Sequence, residues 1–159
     1  MAAQDGQDAK GRRTRGTAWV VAQFALIAVL AAAALPALRH GTAPRGAWVL
    51  WALAVLVGSW ALLANRPGNF NIRPTPRAGG QLVQHGPYRW IRHPMYTSVG
   101  CFAAGCAVAA GSAPVWAVAL LLAAVLAGKS RLEERWMCDT HRSYADYRRR
   151  TWRFIPWLL

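Results

Sequence analysis

HPMYTSVGCFAAGCAVAAGSAPVWAVALLLAAVLAG, His93 to Gly128, runs for 36 residues without an Asp, Glu, Lys or Arg. A helix rises about 1.5 Å per residue and crosses the hydrocarbon core with about 20 apolar residues. This run is too long for one crossing, and Gly111-Ser112-Ala113-Pro114 interrupts it. It therefore reads as two short spans joined by a tight turn. Upstream, residues 16–38 and 46–65 are equally free of charge, and each supplies one span. The expected fold is all-α: a polytopic membrane protein with about four transmembrane helices. The first is placed at about Ala18–Leu38 and the second at Ala47–Ala64, followed by a helical hairpin over 94–128. Leu35-Pro36-Ala37-Leu38-Arg39 lacks a clean small-residue cleavage site, so the first span is expected to stay in the mature protein.

Composition agrees once its distribution is considered. The chain is 55% hydrophobic and yet carries a formal net charge of +13. Of its 19 cationic side chains, only Arg39 and Arg45 flank the first inter-helix loop, and the Gly111 turn has none. The others fall in the N-terminal arm (Lys10, Arg12, Arg13, Arg15), the central loop (Arg66, Arg73, Arg77, Arg89, Arg92) and the C-terminal tail. By the positive-inside rule both termini and the central loop face the cytoplasm of an integral plasma (inner) membrane protein. Charges beside membrane spans meet anionic headgroups, so the basic total implies membrane lipid as a partner and no nucleic acid. Cys101, Cys106 and Cys138 have neither metal-ligand nor C-x-x-C spacing, so no metal site is expected.

The organisation follows. Residues 1–17 are expected to form a disordered basic arm, and 18–159 a single membrane domain. Within that domain, 18–64 hold two helices, 65–93 a cytoplasmic loop, 94–128 the hairpin and 129–159 a cytoplasmic tail. Asn65 to Gln84 has three prolines and three glycines, which cannot continue a helix. Pro94 suits the first position of helix three, where its missing N–H is harmless. Helix four should end near Gly128. Arg131 to Arg150 reads as a cytoplasmic amphipathic helix with Trp136, Tyr144 and Tyr147 as its apolar stripe. Phe154-Ile155-Pro156-Trp157 returns to the membrane interface, where Trp is favoured.

Polar chemistry gathers at one edge of the spans. GPYRWIRHPMY, Gly86–Tyr96, precedes helix three, and Lys129-Ser130-Arg131-Leu132-Glu133-Glu134 follows the last apolar run. Taken singly, each element has a plain explanation. His93 is a boundary histidine, Gly86-Pro87 a turn, Arg89 and Arg92 are snorkelling anchors, Tyr88 and Tyr96 belt aromatics, and Glu133 and Glu134 solvated carboxylates. A carboxylate at a membrane edge is also able to accept ribose hydroxyls or pair with an ammonium.

In combination, Gly86, Tyr88, Arg92, His93, Pro94 and Tyr96, then Glu133-Glu134, then Tyr144, Tyr147, Ile155 and Pro156, form an ordered pattern. This pattern resembles the isoprenylcysteine carboxyl methyltransferase family and, more broadly, the membrane methyltransferases that include the phospholipid N-methyltransferases. The likeness covers residues 79–159, and the first two helices match only in being apolar. It implies S-adenosylmethionine bound on the cytoplasmic side without a Rossmann sheet, and a lipidic or small apolar acceptor entering from the bilayer. By position it implies cofactor contacts at Gln81, Leu82, Val83, Tyr88, His93, Pro94, Met95, Tyr96 and Glu133, with Glu134 as the alternative if the register shifts by one. The family commonly has an arginine near the substrate four residues before the first glutamate. Here Lys129 stands in that place, with Arg131 two residues on, and these two are the expected substrate-side residues. Lys does not replace Arg in bidentate carboxylate recognition, which counts against a prenylcysteine carboxylate.

Two other readings compete. R-H-P-x-Y and I-P also occur in NADPH-dependent sterol reductases, which are longer and usually carry D-E in place of Glu133-Glu134. A small four-helix transporter or structural membrane protein is the non-enzymatic reading, although proton-coupled carriers generally need an ionisable residue within a span and this chain has none there. The catalytic group, the acceptor and the oligomeric state are left open by the sequence.

Overall fold

A computed structural model describes residues 2–65 and 82–158, with side chains from Gly16 onward, Thr140 excepted. Among the described residues there are five α-helices and no strand: α1 Ala2–Arg39, α2 Arg45–Ala64, α3 Pro94–Ala110, α4 Ala113–Thr140 and α5 Tyr144–Arg150. A short 3-10 turn, Gly86–Arg89, leads towards α3. Three stretches, Gly16–Arg39, Arg45–Ala64 and Ala113–Asp139, are long and apolar enough to cross a membrane, and α3 is a shorter apolar helix. This is the all-helical membrane protein that the charge-free runs imply. With 17 residues, α3 is about 25 Å long, slightly less than the hydrocarbon thickness.

Two expected boundaries are corrected. The arm 1–17, expected to be disordered, is helical from Ala2. Adding turns to an existing helix avoids the nucleation cost, and the arm's Ala, Gln, Lys and Arg are good helix formers without a proline among them. Helix four does not end near Gly128: α4 continues to Thr140, because nothing in Lys129–Asp139 terminates a helix. The expected amphipathic helix Arg131–Arg150 is accordingly divided. Its first part is the end of α4, the chain turns through His141-Arg142-Ser143, and only Tyr144–Arg150 forms a helix of its own. The turn folds α5 back, so that Trp136, Tyr144 and Tyr147 are all buried.

α3 is the central helix and packs against α1, α2 and α4. The core joins Leu30 and Ala34 of α1, Ala103, Cys106 and Ala107 of α3, and Ala119, Leu122 and Leu126 of α4. The buried face of α2 consists of Ala47, Ala54, Gly58, Ala61 and Ala64. Where lipid is as apolar as the side chains, helices associate through close packing of small residues and interhelical hydrogen bonds. Both occur here, since Ser98 Oγ of α3 donates to the Ala54 carbonyl of α2 at 2.7 Å. The large residues point outward: Leu56 is 68% exposed, Leu63 86% and Leu120 68%. A surface of this kind suits hydrocarbon rather than water.

The hairpin turn forms where the sequence is broken. Gly111 closes α3 in the left-handed conformation, φ 58°, and α4 starts with a proline in its first turn. A second left-handed glycine, Gly86, has φ 60°, and a Cβ on it would lie 2.7 Å from the Ala64 Cβ and 3.4 Å from Trp60 Nε1. The turn that carries Tyr88 is thereby pressed against the end of α2. Gly86→Ala should destabilise the protein by about 1–3 kcal/mol through the combined backbone strain and clash. Gly100→Ala, with nothing within 4 Å of the added Cβ, should not destabilise it. Thermal unfolding of both variants in detergent checks the contrast.

Candidate active site

The site is built where α3 begins and α4 leaves the apolar run. Residues 129, 133 and 134 lie on adjoining faces of α4, whereas residue 131, about 200° from 129, faces away. Lys129 and Glu134 are buried, at 2% each, and Arg131 is exposed. Of the two expected substrate-side residues, only Lys129 is brought to the cluster.

Glu134 is the most connected group. Its Oε1 accepts from Arg92 Nε at 2.8 Å and from Arg153 Nε at 3.1 Å, and its Oε2 accepts from Arg153 Nη2 at 3.0 Å. Arg148 Nε lies 3.5 Å from Oε2, and His93 Nε2 lies 3.3 Å from Oε1. Arg92 also donates to the carbonyls of Arg148 and Thr151. With its side chain 3% exposed, Glu134 has no free edge for a ligand. Glu133 differs: its side chain is 20% exposed, Tyr96 Oη donates to its Oε2 at 2.9 Å, and His93 Nδ1 is 3.4 Å from the same oxygen.

His93 stands between the two carboxylates, stacked parallel to Tyr96 with ring centroids 5.2 Å apart. Both ring nitrogens face acceptors, an arrangement that only the imidazolium satisfies with two donors. Burial works against the cation, but the hydrogen bonds and charges of Glu133 and Glu134 prevail and raise the pKa above its ordinary 6.5. Burial, aided by the charge of Glu133, pushes the Tyr88 phenol up to about 12, so it remains a neutral donor.

The tail closes around the same point. Ile91 and Trp152 form an isolated parallel bridge, with Arg92 N donating to Trp152 O at 2.8 Å and His93 N to Arg153 O at 3.1 Å. Thr97 Oγ1 donates to Phe154 O at 2.8 Å, and the Phe154 ring lies 5.9 Å from that of His93. Tyr147 Oη donates to Tyr88 O at 2.8 Å and fixes the 3-10 turn from the other side.

Of the sequence-derived cofactor residues, Tyr88, His93, Tyr96 and Glu133 share one cluster, with Glu134 behind them. Pro94 is buried and opens α3, while Met95 is half-buried in its first turn. Leu82 and Val83 are half-buried in the segment before Gly86, and Gln81 lies outside the described residues. Sequence reasoning missed Arg153, Thr151 and Phe154, and counted Arg92 in the pattern without giving it a contact. No local pattern marks a tail arginine as the partner of a carboxylate 19 residues earlier.

A family model described as phospholipid methyltransferase matches residues 66–144, the segment that supplies Tyr88, Arg92, His93, Tyr96 and both glutamates. Over that segment the chain is similar to the phospholipid methyltransferases, a family of membrane methyltransferases. No curated protein and no solved structure matches it. Arg153 and Phe154 lie beyond the matched segment, so part of what completes this cluster comes from the tail.

Three outcomes follow from the geometry. Glu134→Ala, which leaves Arg92 and Arg153 without their partner, should lower unfolding stability by about 3–5 kcal/mol. Arg148→Gln, at the half-exposed contact, should lower it by less than about 1 kcal/mol. His93 should titrate with a midpoint above about 6.5 in ring NMR. The stability from its raised pKa is fully present below the unfolded value of about 6.5 and is lost as pH rises through the folded midpoint.

Proposed function

We propose that this chain is an S-adenosylmethionine-dependent methyltransferase of the membrane, acting on a lipidic or small apolar acceptor. The observation that carries the reading is the unequal pair of carboxylates: Glu134 is consumed by cations, while Glu133 keeps an accessible edge beside two phenols and an imidazolium. That donor set fits a sulfonium nucleoside. Glu133 would accept ribose hydroxyls or face the cationic end of the cofactor, Tyr88 and Tyr96 supply π faces and phenolic donors, and Leu82, Val83 and Met95 supply apolar wall.

S-Adenosylmethionine supplies an electrophilic methyl group on sulfur. The remaining work falls to this chain's residues, which must align donor and acceptor and keep water away. Phe154, packed over His93 and Tyr96, is the side chain that shields the cluster from the tail side. His93, held as a cation between two carboxylates, is poorly suited to act as a general base. Its task is instead to fix Glu133 and Glu134 in place. An acceptor that carries no proton to shed, such as a carboxylate or thiolate, suits this arrangement, and an amine would have to arrive deprotonated. The lipid-facing surfaces of α2 and α4 give such an acceptor its route, and the cationic loop and tail set the cofactor on the cytoplasmic side.

Calorimetric titration of the detergent-purified chain with S-adenosylhomocysteine, with NADPH for comparison, tests the reading. Saturable binding of S-adenosylhomocysteine alone is expected, and binding of NADPH alone would move the protein to the reductases. Glu133→Ala and His93→Ala should weaken that binding by about tenfold or more, the loss of a hydrogen bond to a charged group. Arg131→Ala should bind as the unsubstituted chain does.

A further inference from the structure

The first span lies outside the segment that the family model matches, yet it reaches the site. A Cβ on Gly128 would stand 2.5 Å from the Trp19 ring, so this glycine lets α1 lie directly against α4. One turn further along the same face of α1 is Gln23, itself 7% exposed. Its Oε1 accepts a hydrogen bond of 2.8 Å from Lys129 Nζ. Among the described residues this is the hydrogen bond that the buried ammonium makes. The same Nζ lies 5.1 Å from the Tyr96 ring centroid, and Tyr96 Oη donates to Glu133. A continuous line of contacts thus runs from the first span to the carboxylate with the accessible edge.

A glutamine and a lysine buried where the spans reach the polar end are expensive unless they satisfy each other. The pair does so here, and each element of it has a definite effect. An ammonium without the glutamine oxygen has four rotatable bonds and only the ring face and the charge of Glu133 to hold it. With it, the cation is fixed on the face of Tyr96, the ring is fixed against His93, and the phenol is aimed at Glu133.

We propose that Gln23 is a positioning residue for the cofactor site: it holds Lys129 on Tyr96 and thereby sets the orientation of Tyr96 and Glu133. Lys129 is, in this account, a support beneath the site rather than a ligand to the acceptor. The inference rests on the reading of Glu133 as the cofactor-side carboxylate.

The test is a double-mutant cycle on the full chain in detergent, read as affinity for S-adenosylhomocysteine. Gln23→Leu keeps an apolar side chain of similar bulk towards α4 and should weaken binding by about tenfold. Gln23→Glu restores the acceptor oxygen and should bind as the unsubstituted chain does. Lys129→Met should lose as much as Gln23→Leu, and the double variant should be no weaker than Lys129→Met alone, since one residue acts through the other. Losses that multiply, or a Gln23→Leu variant within about twofold of the unsubstituted chain, would overturn the proposal. If the unsubstituted chain binds no S-adenosylhomocysteine, the cofactor reading fails and the decision passes to Lys129 itself. Lys10 and Lys129 are the two lysines of the chain, so Lys10→Arg leaves a single lysine to observe. Its [13C]lysine Cε signal should move in Gln23→Leu and return in Gln23→Glu, and a signal that stays in place overturns the inference.

Discussion

One buried carboxylate, Glu134, determines how the polar end of this helical bundle is assembled. Arg92 comes from the segment before α3, Arg153 from the tail, Arg148 from α5 and His93 from the start of α3, and all four converge on its two oxygens. Removing a carboxylate from water costs several kcal/mol, and only good geometry with fully used lone pairs offsets that cost. Here both oxygens are used, and the guanidinium of Arg153 meets them in parallel. The remaining arrangement depends on this. The parallel bridge between Ile91 and Trp152, the seating of Phe154 and the burial of Tyr144 and Tyr147 all require the tail to lie where Arg153 holds it.

Adjacent residues on a helix point about 100° apart, and the site uses that rotation to divide two chemically identical side chains. Glu134 faces the cations and becomes scaffold. Glu133, one step back, shares a face with Lys129 and meets Tyr96 and His93. Its exposed edge is what makes it useful to a ligand. His93 touches both carboxylates and couples the two roles: a change in its charge alters the scaffold and the open edge together.

The fold was largely legible because hydrocarbon imposes a simple code. Charge-free runs of sufficient length gave the helices, and Gly111 and Pro114 marked their turn to the residue. Where helices meet water the code lapses. Gly128 looked like a terminus, but it is small because Trp19 lies on it, a fact held in α1 and invisible in the residues beside it. The site was half legible. Tyr88, His93, Tyr96 and Glu133 stand in a recognisable order, and the structure does bring them together. Arg153 and Phe154 reach the cluster through tertiary pairing across about 60 residues of chain, and Gln23 reaches it across 106. Such partners have no local signature, because their spacing in sequence is fixed by nothing but the path of the intervening helices.

The two spans ahead of the matched segment are therefore more than membrane anchors. α2 receives the Gly86 turn against Ala64 and Trp60, and so sets the height at which Tyr88 is presented. Its small-residue face also lets α3 approach closely enough for Ser98 to bond an α2 carbonyl. α1 does the same for α4 through Trp19 and Gln23. In a bilayer the hydrophobic effect does not drive helix against helix, so these contacts must come from shape and from polar pairs. Near the polar end these contacts fall on Gly86, Ser98, Gly128 and Lys129, a short way along the chain from Tyr88, Tyr96 or Glu133. The same packing that assembles the bundle thus fixes the geometry of the site, and substitutions in the apolar half should be felt there.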